Sequence, residues 1–299
     1  QEVKGTIKLG NVSKTALFLA EIPVHIRKTF SNVHEVKDRF LSLDGFDGIP
    51  NSSETYLLLS RYDGELKEGI VELVDLRNFE VLHTWNPDID EFNKSVRKID
   101  EFKYLDRDGN NLRSLMVHPI LLKDMGLVFK FETPLRKIDA CSNLIFENDN
   151  DIFHHSAETD LKGDIWVPSY MYPQSPPIEK VGRNLRQEKG YYDDGIVKLS
   201  SDGEILFEKS VSQILIDNNF EYLLFSVGDV GFNKDPIHLN DIQPVDFDGD
   251  FWKKGDVFLS LRHQSMIILY RPSTNKIIWK GIGPFFHQHD VDVLNDHSI

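Results

Sequence analysis

The chain has 299 residues, 40% of them hydrophobic and 27% charged, a balance that excludes a largely disordered protein. Its 34 basic and 48 acidic residues give a formal net charge of −14, which argues against nucleic acid as a partner because a phosphate backbone would be repelled. The single cysteine, Cys141, excludes an internal disulfide, and no apolar run is long enough to predict a membrane span.

Residues 1–33 form the least repetitive part. Leu17, Ala20, Val24 and Phe30 have helical spacing, and Pro23 interrupts it. The spacing predicts a short helix, or a helical hairpin broken at Pro23, as an extension ahead of the main domain. The chain begins at Gln1 and ends in what reads as an unfinished strand pair. A fragment is therefore expected, with an N-terminal leader or anchor removed and the C-terminus truncated.

From residue 34 to 299 the texture changes to short apolar runs between turns. Tyr56–Ser60, Gly69–Asp75 and Glu80–Trp85 read as a first antiparallel meander. A second copy starts at Val117-His118 and continues through Gly126–Lys130, Leu135–Asp139 and Asn143–Glu147. A third starts at His154-His155 and continues through Gly163–Val167, Gly195–Leu199 and Asp202–Phe207. A fourth starts at Ile237-His238 and continues through Gly255–Ser260, Ser265–Tyr270 and Lys276–Trp279; a fifth begins at His289. Four short antiparallel strands per irregular repeat predict an all-β protein, a β-propeller of four-stranded blades. A large β-sandwich shares the strands and turns, but would not repeat a histidine at one phase. The Pro- and Tyr-rich connection from Pro168 to Tyr192 reads either as a lid or as a loop pinned by its aromatics. Ser210 to Ile216 suggests a short helix.

In a propeller the first strand of each blade lines the axis. His118, His155, His238 and His289 are each expected there, so they form a candidate ring. Arg262 supplies a permanent planar charge suited to an oxyanion, unless it pairs with Asp241 or Asp290. Asn240 lies two residues after His238, on the same strand face. His287 and His289 share a face by the same spacing and form a possible zinc half-site that His154 or His238 would complete, with Asp290 or Asp235 orienting a ligand imidazole. An Arg beside that site opposes a cation, so no metal and no other cofactor is expected. The Gly-x-Ser-x-Gly elbow, the phosphate-binding loop and the dinucleotide fingerprint are all missing from the sequence.

Four motifs carry a family resemblance: His154-His155-Ser156 leading to Gly163-Asp164-Ile165-Trp166, then Ile237-His238-Leu239-Asn240-Asp241, Ser260-Leu261-Arg262-His263-Gln264 and Gln288-His289-Asp290. In these the chain resembles bacterial arylsulfotransferases, which move a sulfuryl group from an aryl sulfate to a phenol without a nucleotide donor. The resemblance implies a six-bladed propeller, of which this chain supplies about four blades and a fragment, and a periplasmic or otherwise extracytoplasmic location. It implies His289 as a nucleophile that is transiently sulfated, with His155, His238 and Arg262 cradling the sulfuryl oxygens and Asn240 assisting. His154, Tyr170 and Tyr172 are expected to contact the substrate. The expected partners are an aryl sulfate donor and a phenolic acceptor. Two other readings remain open on the residues alone: a propeller that binds an anionic or aromatic ligand without catalysis, and a metal-dependent hydrolase built on the histidines.

Overall fold

A computed structural model describes residues 11–30, 45–130, 134–175, 191–224, 235–294 and 297–299. The runs rich in β-branched and aromatic residues form strands, and these strands pair with their sequence neighbours. The first sheet has the order β1 (Tyr56–Asp63), β2 (Glu68–Asp75), β3 (Glu80–Trp85). The second has the order β4 (Val117–Leu121), β5 (Leu127–Lys130), β6 (Leu135–Ile138), β7 (Leu144–Asn148). In the third, β8 (Ile152–Phe153) and β9 (Glu158–Thr159) both pair with β10 (Ile165–Tyr170), followed by β11 (Asp194–Leu199) and β12 (Ile205–Ser210). The fourth has the order β13 (Leu239–Pro244), β14 (Val257–Leu261), β15 (Met266–Arg271), β16 (Lys276–Ile282). The fold is all-β, built from propeller-like antiparallel meanders. Among the described residues no helix is long and apolar enough to cross a membrane.

The chain divides into two compact units, Gln1–Phe131 with Ile138–Ile145 and Glu132–Lys137 with Phe146–Ile299. In the first, Val71, Trp85, Met116, Leu127 and Ile138 form a buried core. The Trp85 indole N–H stays satisfied there by donating to the Met125 carbonyl at 3.0 Å. The core of the second unit gathers Ile196, Ile242, Leu259, Ile268 and Tyr270. All of β14 is buried, which is why its sequence is apolar on both faces, Ser260 excepted, rather than alternating. The expected helix after β12 is present as Val211–Asp217. The Ser210 hydroxyl caps it by accepting from the Gln213 N–H, and Val211, Ile214 and Leu215 pack into the same core.

Two expectations are corrected. The N-terminal segment is neither a hairpin nor broken at Pro23; it is one helix, Asn11–Phe30, with Pro23 inside it. A proline removes one main-chain N–H, but the register can continue on both sides of the missing bond. The connection from Pro168 to Tyr192 also starts later than expected, because Pro168 and Tyr170 belong to β10. Of that connection, residues 176–190 lie outside the described residues.

Pairing of the first strand is irregular in the second, third and fourth sheets. The β4–β5 register shifts between Val117 and Ile120, and the β13–β14 register between Leu239 and Asp241. In the third sheet the first strand is interrupted between β8 and β9, where His154 to Ala157 leave the regular ladder. Pro168 fits this gap. It accepts the His154 N–H at 3.0 Å, and a strand residue's N–H and C=O point to the same side, so the donor that proline lacks would face the interruption.

Removing bulk from the centre of the second unit should be costly. Leu259→Ala is expected to lower stability by about 2–5 kcal/mol. Ile282→Ala, at a residue 70% exposed, should stay within about 0.5 kcal/mol. Urea unfolding of both variants measures this, and equal losses would contradict the placement of the core.

Candidate active site

The site is built where first strands break. His155 and His238 have φ of 56° and 58°, and His118 in the other unit has 47°. Histidine tolerates this left-handed region better than most residues, and bulges of this kind re-aim a side chain out of the ladder. His287, at 53°, shares the conformation, whereas His289 does not. His287 is therefore the residue in phase with His155 and His238, and His289 stands two residues further on, in the position that Asn240 holds after His238. The segment around them is not strand, so the shared-face argument for a His287–His289 metal pair fails. The His287 ring stacks on Phe286 at 3.8 Å between centroids, while His289 approaches His155.

Four of the imidazoles come together. The His155 ring lies 4.7 Å from His238 and 6.2 Å from His289, and His238 lies 4.7 Å from His263. His155, His238 and His263 are half-buried and His289 is exposed. Each of the inner rings is tied at Nδ1. For His238 the partner is the Asp235 carboxylate at 2.5 Å, for His263 the Asp235 carbonyl at 2.8 Å, and for His155 the Nδ1 of His154 at 2.8 Å. Asp235 thus fixes two imidazoles, the orienting role expected of such a carboxylate.

Arg262 follows β14 directly, and its N–H donates to the His238 carbonyl at 3.1 Å. Its half-buried guanidinium makes no ion pair with Asp241 or Asp290, and no side-chain hydrogen bond is seen for it among the described residues. Asn240 is buried and donates its amide to the Gln288 carbonyl at 2.8 Å, tying β13 to the segment that carries His289. The Gln288 amide in turn donates to the Ser260 hydroxyl and to the carbonyls of Leu261 and Met266. His154 is buried and stacks on Tyr170 at 4.2 Å, and Tyr170 meets Tyr192 at 4.9 Å. Tyr172 is 82% exposed and has no ring contact with this group among the described residues.

Carboxylates underlie the histidines. Asp194 is fully buried, and burial, with the Asp235 charge adding to it, pushes its carboxyl up to about 7. Three residues past each of His155, His238 and His287 stands an acid: Glu158, Asp241 and Asp290. One ligand atom from each of the three lies within 4.8 Å of the others. Burial, then the Asp241 and Asp290 charges, push Glu158 up to about 8, and burial pushes Asp241 up to about 7 against the pull of the Ser156 hydroxyl. Asp235, His238 and His263 likewise bring one ligand atom each within 4.8 Å. These two sets are the groups that could hold a cation among the described residues. In the second set, however, the 2.5 Å contact from Asp235 to His238 suits a shared proton. Two ligands about 2.0–2.2 Å from one zinc ion would stand further apart.

Residues 118–299 match the family model described as "Arylsulfotransferase (ASST)". The chain belongs to the arylsulfotransferase family. The chain is also similar to a protein of unknown function from Bacteroides caccae, at 11% sequence identity and a TM-score of 0.42, over 77% of this chain. It spans 58% of the length of that protein. No curated protein matches the chain.

The matched region contains every candidate site residue named from the sequence. The structure gathers His154, His155, His238 and His289, puts Asn240 and the Arg262 main chain beside them, and leaves Tyr172 at the surface. Asp194 was not foreseen. It precedes Gly195 at the start of an apolar strand and looks there like any turn acid. His263 was visible only as part of the Ser-Leu-Arg-His-Gln motif.

The acid trio sets a pH dependence of stability. Glu158 and Asp241 titrate higher in the folded chain than at the ordinary value near 4. The folded state therefore holds more protons than the unfolded state between about pH 4 and about pH 8. The stability these carboxyls contribute is complete at the acid end of that window and is lost as pH rises through 7 and 8. Glu158→Gln should therefore flatten the fall in melting temperature between about pH 5 and about pH 9. A slope as steep as that of the parent chain would contradict the assignment.

Proposed function

We propose that the protein transfers a sulfuryl group from an aryl sulfate to a phenolic acceptor through a sulfohistidine on His289. The observation that carries this reading is the convergence of imidazoles beside an arginine that forms no ion pair among the described residues, in a chain whose net charge is −14. An anionic donor is repelled by such a protein at long range, so it needs fixed positive groups close at hand. Arg262 meets that need as a planar fork for sulfuryl oxygens. His238, held at Nδ1 by Asp235, has Nε2 left for the substrate, and in its imidazolium form it would donate there.

The chemistry follows from sulfur bonded to a good leaving oxygen. The His289 lone pair forms the N–S bond as the S–O bond to the aryl group breaks. The remaining imidazole N–H proton passes to the departing phenolate, so the products are a phenol and a neutral-ring N-sulfohistidine. In the second half-reaction the acceptor phenol oxygen attacks sulfur, the S–N bond breaks, and the phenol proton returns to the imidazole. Charge develops on the equatorial oxygens in both directions, which is where fixed donors act. His289 is exposed, as a nucleophile that meets two substrates in turn must be. Asn240 contributes by fixing Gln288 next to it. Tyr170 and Tyr192 offer ring faces for an aryl group, with Tyr192 44% exposed.

The test is turnover of a chromogenic aryl sulfate with and without a phenol acceptor. His289→Ala should abolish transfer. Arg262→Met, which keeps the stem and removes the charge, should lower kcat by about 10²–10³-fold. Unchanged turnover in His289→Ala would remove the reading.

A further inference from the structure

The buried carboxylate of Asp194 is not used in the transfer scheme, although it adjoins two of the histidines. Asp194 opens β11 and lies opposite Tyr170 of β10 in the ladder. One of its oxygens accepts the His238 main-chain N–H at 3.0 Å. The other stands 3.3 Å from Nε2 of His154, off the line of a hydrogen bond. His154 is itself buried and held flat against Tyr170, with the two rings inclined at 28°. Its second nitrogen, Nδ1, lies 2.8 Å from Nδ1 of His155.

We propose that Asp194, acting through His154, sets the tautomer of His155. A neutral imidazole carries one N–H and one lone pair. Above about pH 7, where Asp194 is ionised, its carboxylate only accepts, so a neutral His154 keeps its proton on Nε2 and presents a lone pair at Nδ1. The only proton then available to the short His154–His155 contact is the one on His155 Nδ1. The lone pair of His155 is thereby left on Nε2. The reverse arrangement would turn the His154 lone pair toward a buried negative charge, in surroundings where water cannot screen the repulsion.

This tautomer is the opposite of the one a neutral histidine prefers in water, where Nε2 carries the proton. It therefore has to be imposed, and buried carboxylate–histidine pairs impose tautomers in this way. His155 is the inner ring that meets both His238 and His289. Asp194 and His154 are positioning residues, and His154 is not a substrate contact. Only the use made of the His155 lone pair rests on the sulfuryl-transfer reading, in which it can take up the proton that moves between imidazole and phenol.

The test is two-bond proton–nitrogen correlation NMR on the whole chain labelled at histidine, with His155 assigned by loss of its signals in His155→Gln. The expected result is a protonated Nδ1 and an unprotonated Nε2 on His155. His154→Phe keeps a ring against Tyr170 and removes the acceptor, so it should convert His155 to the Nε2–H form. Asp194→Asn should replace the single tautomer with a mixture. An Nε2–H His155 in the parent chain would overturn the proposal even if neither variant folds, and so would an unchanged tautomer in His154→Phe. Failure of the transfer reading would appear as absent turnover and would leave the tautomer where it is.

Discussion

The constraint on which the site depends is that a first strand must leave its ladder to bring a histidine to its neighbours. His155 and His238 do so through a left-handed residue, at a cost of about 1–2 kcal/mol each relative to ordinary strand geometry. His118 takes the same conformation where β4 loses its register with β5. The surrounding sheet offsets the cost. Pro168 gives up no donor where the ladder is broken, and Asp194 accepts the main-chain N–H of His238.

A second consequence concerns charge. The histidines rest on buried acids that most proteins would avoid, and burial holds Asp194 and Asp241 at about 7 and Glu158 at about 8. Asp235 plays the complementary part closer to solvent, fixing His238 through its carboxylate and His263 through its carbonyl. Each ring is thereby held at one nitrogen, which is the preorganisation a reacting centre requires.

Much of this was legible in the sequence. The strands were visible from apolar runs bounded by glycine turns, because a buried meander leaves little else for those residues to do. Arg262, His155 and His238 stood out because charged or half-polar groups recurred at strand starts and ends. What the sequence hid were non-local or irregular features. Asp194 acquires its role only when β11 lies against β10 and the His238 turn. His287 and His289 could not be phased, because an alternation rule assumes a strand and the backbone there is none. Pro23 reads as a break only if a helix is taken to need every one of its hydrogen bonds.

A covalent intermediate on His289 can be sought by mass spectrometry of the protein incubated with an aryl sulfate in the absence of an acceptor. A sulfuryl group on His289 that disappears when a phenol is added is the expected result. Phenol-dependent turnover with no adduct, or with the adduct on another residue, would contradict it.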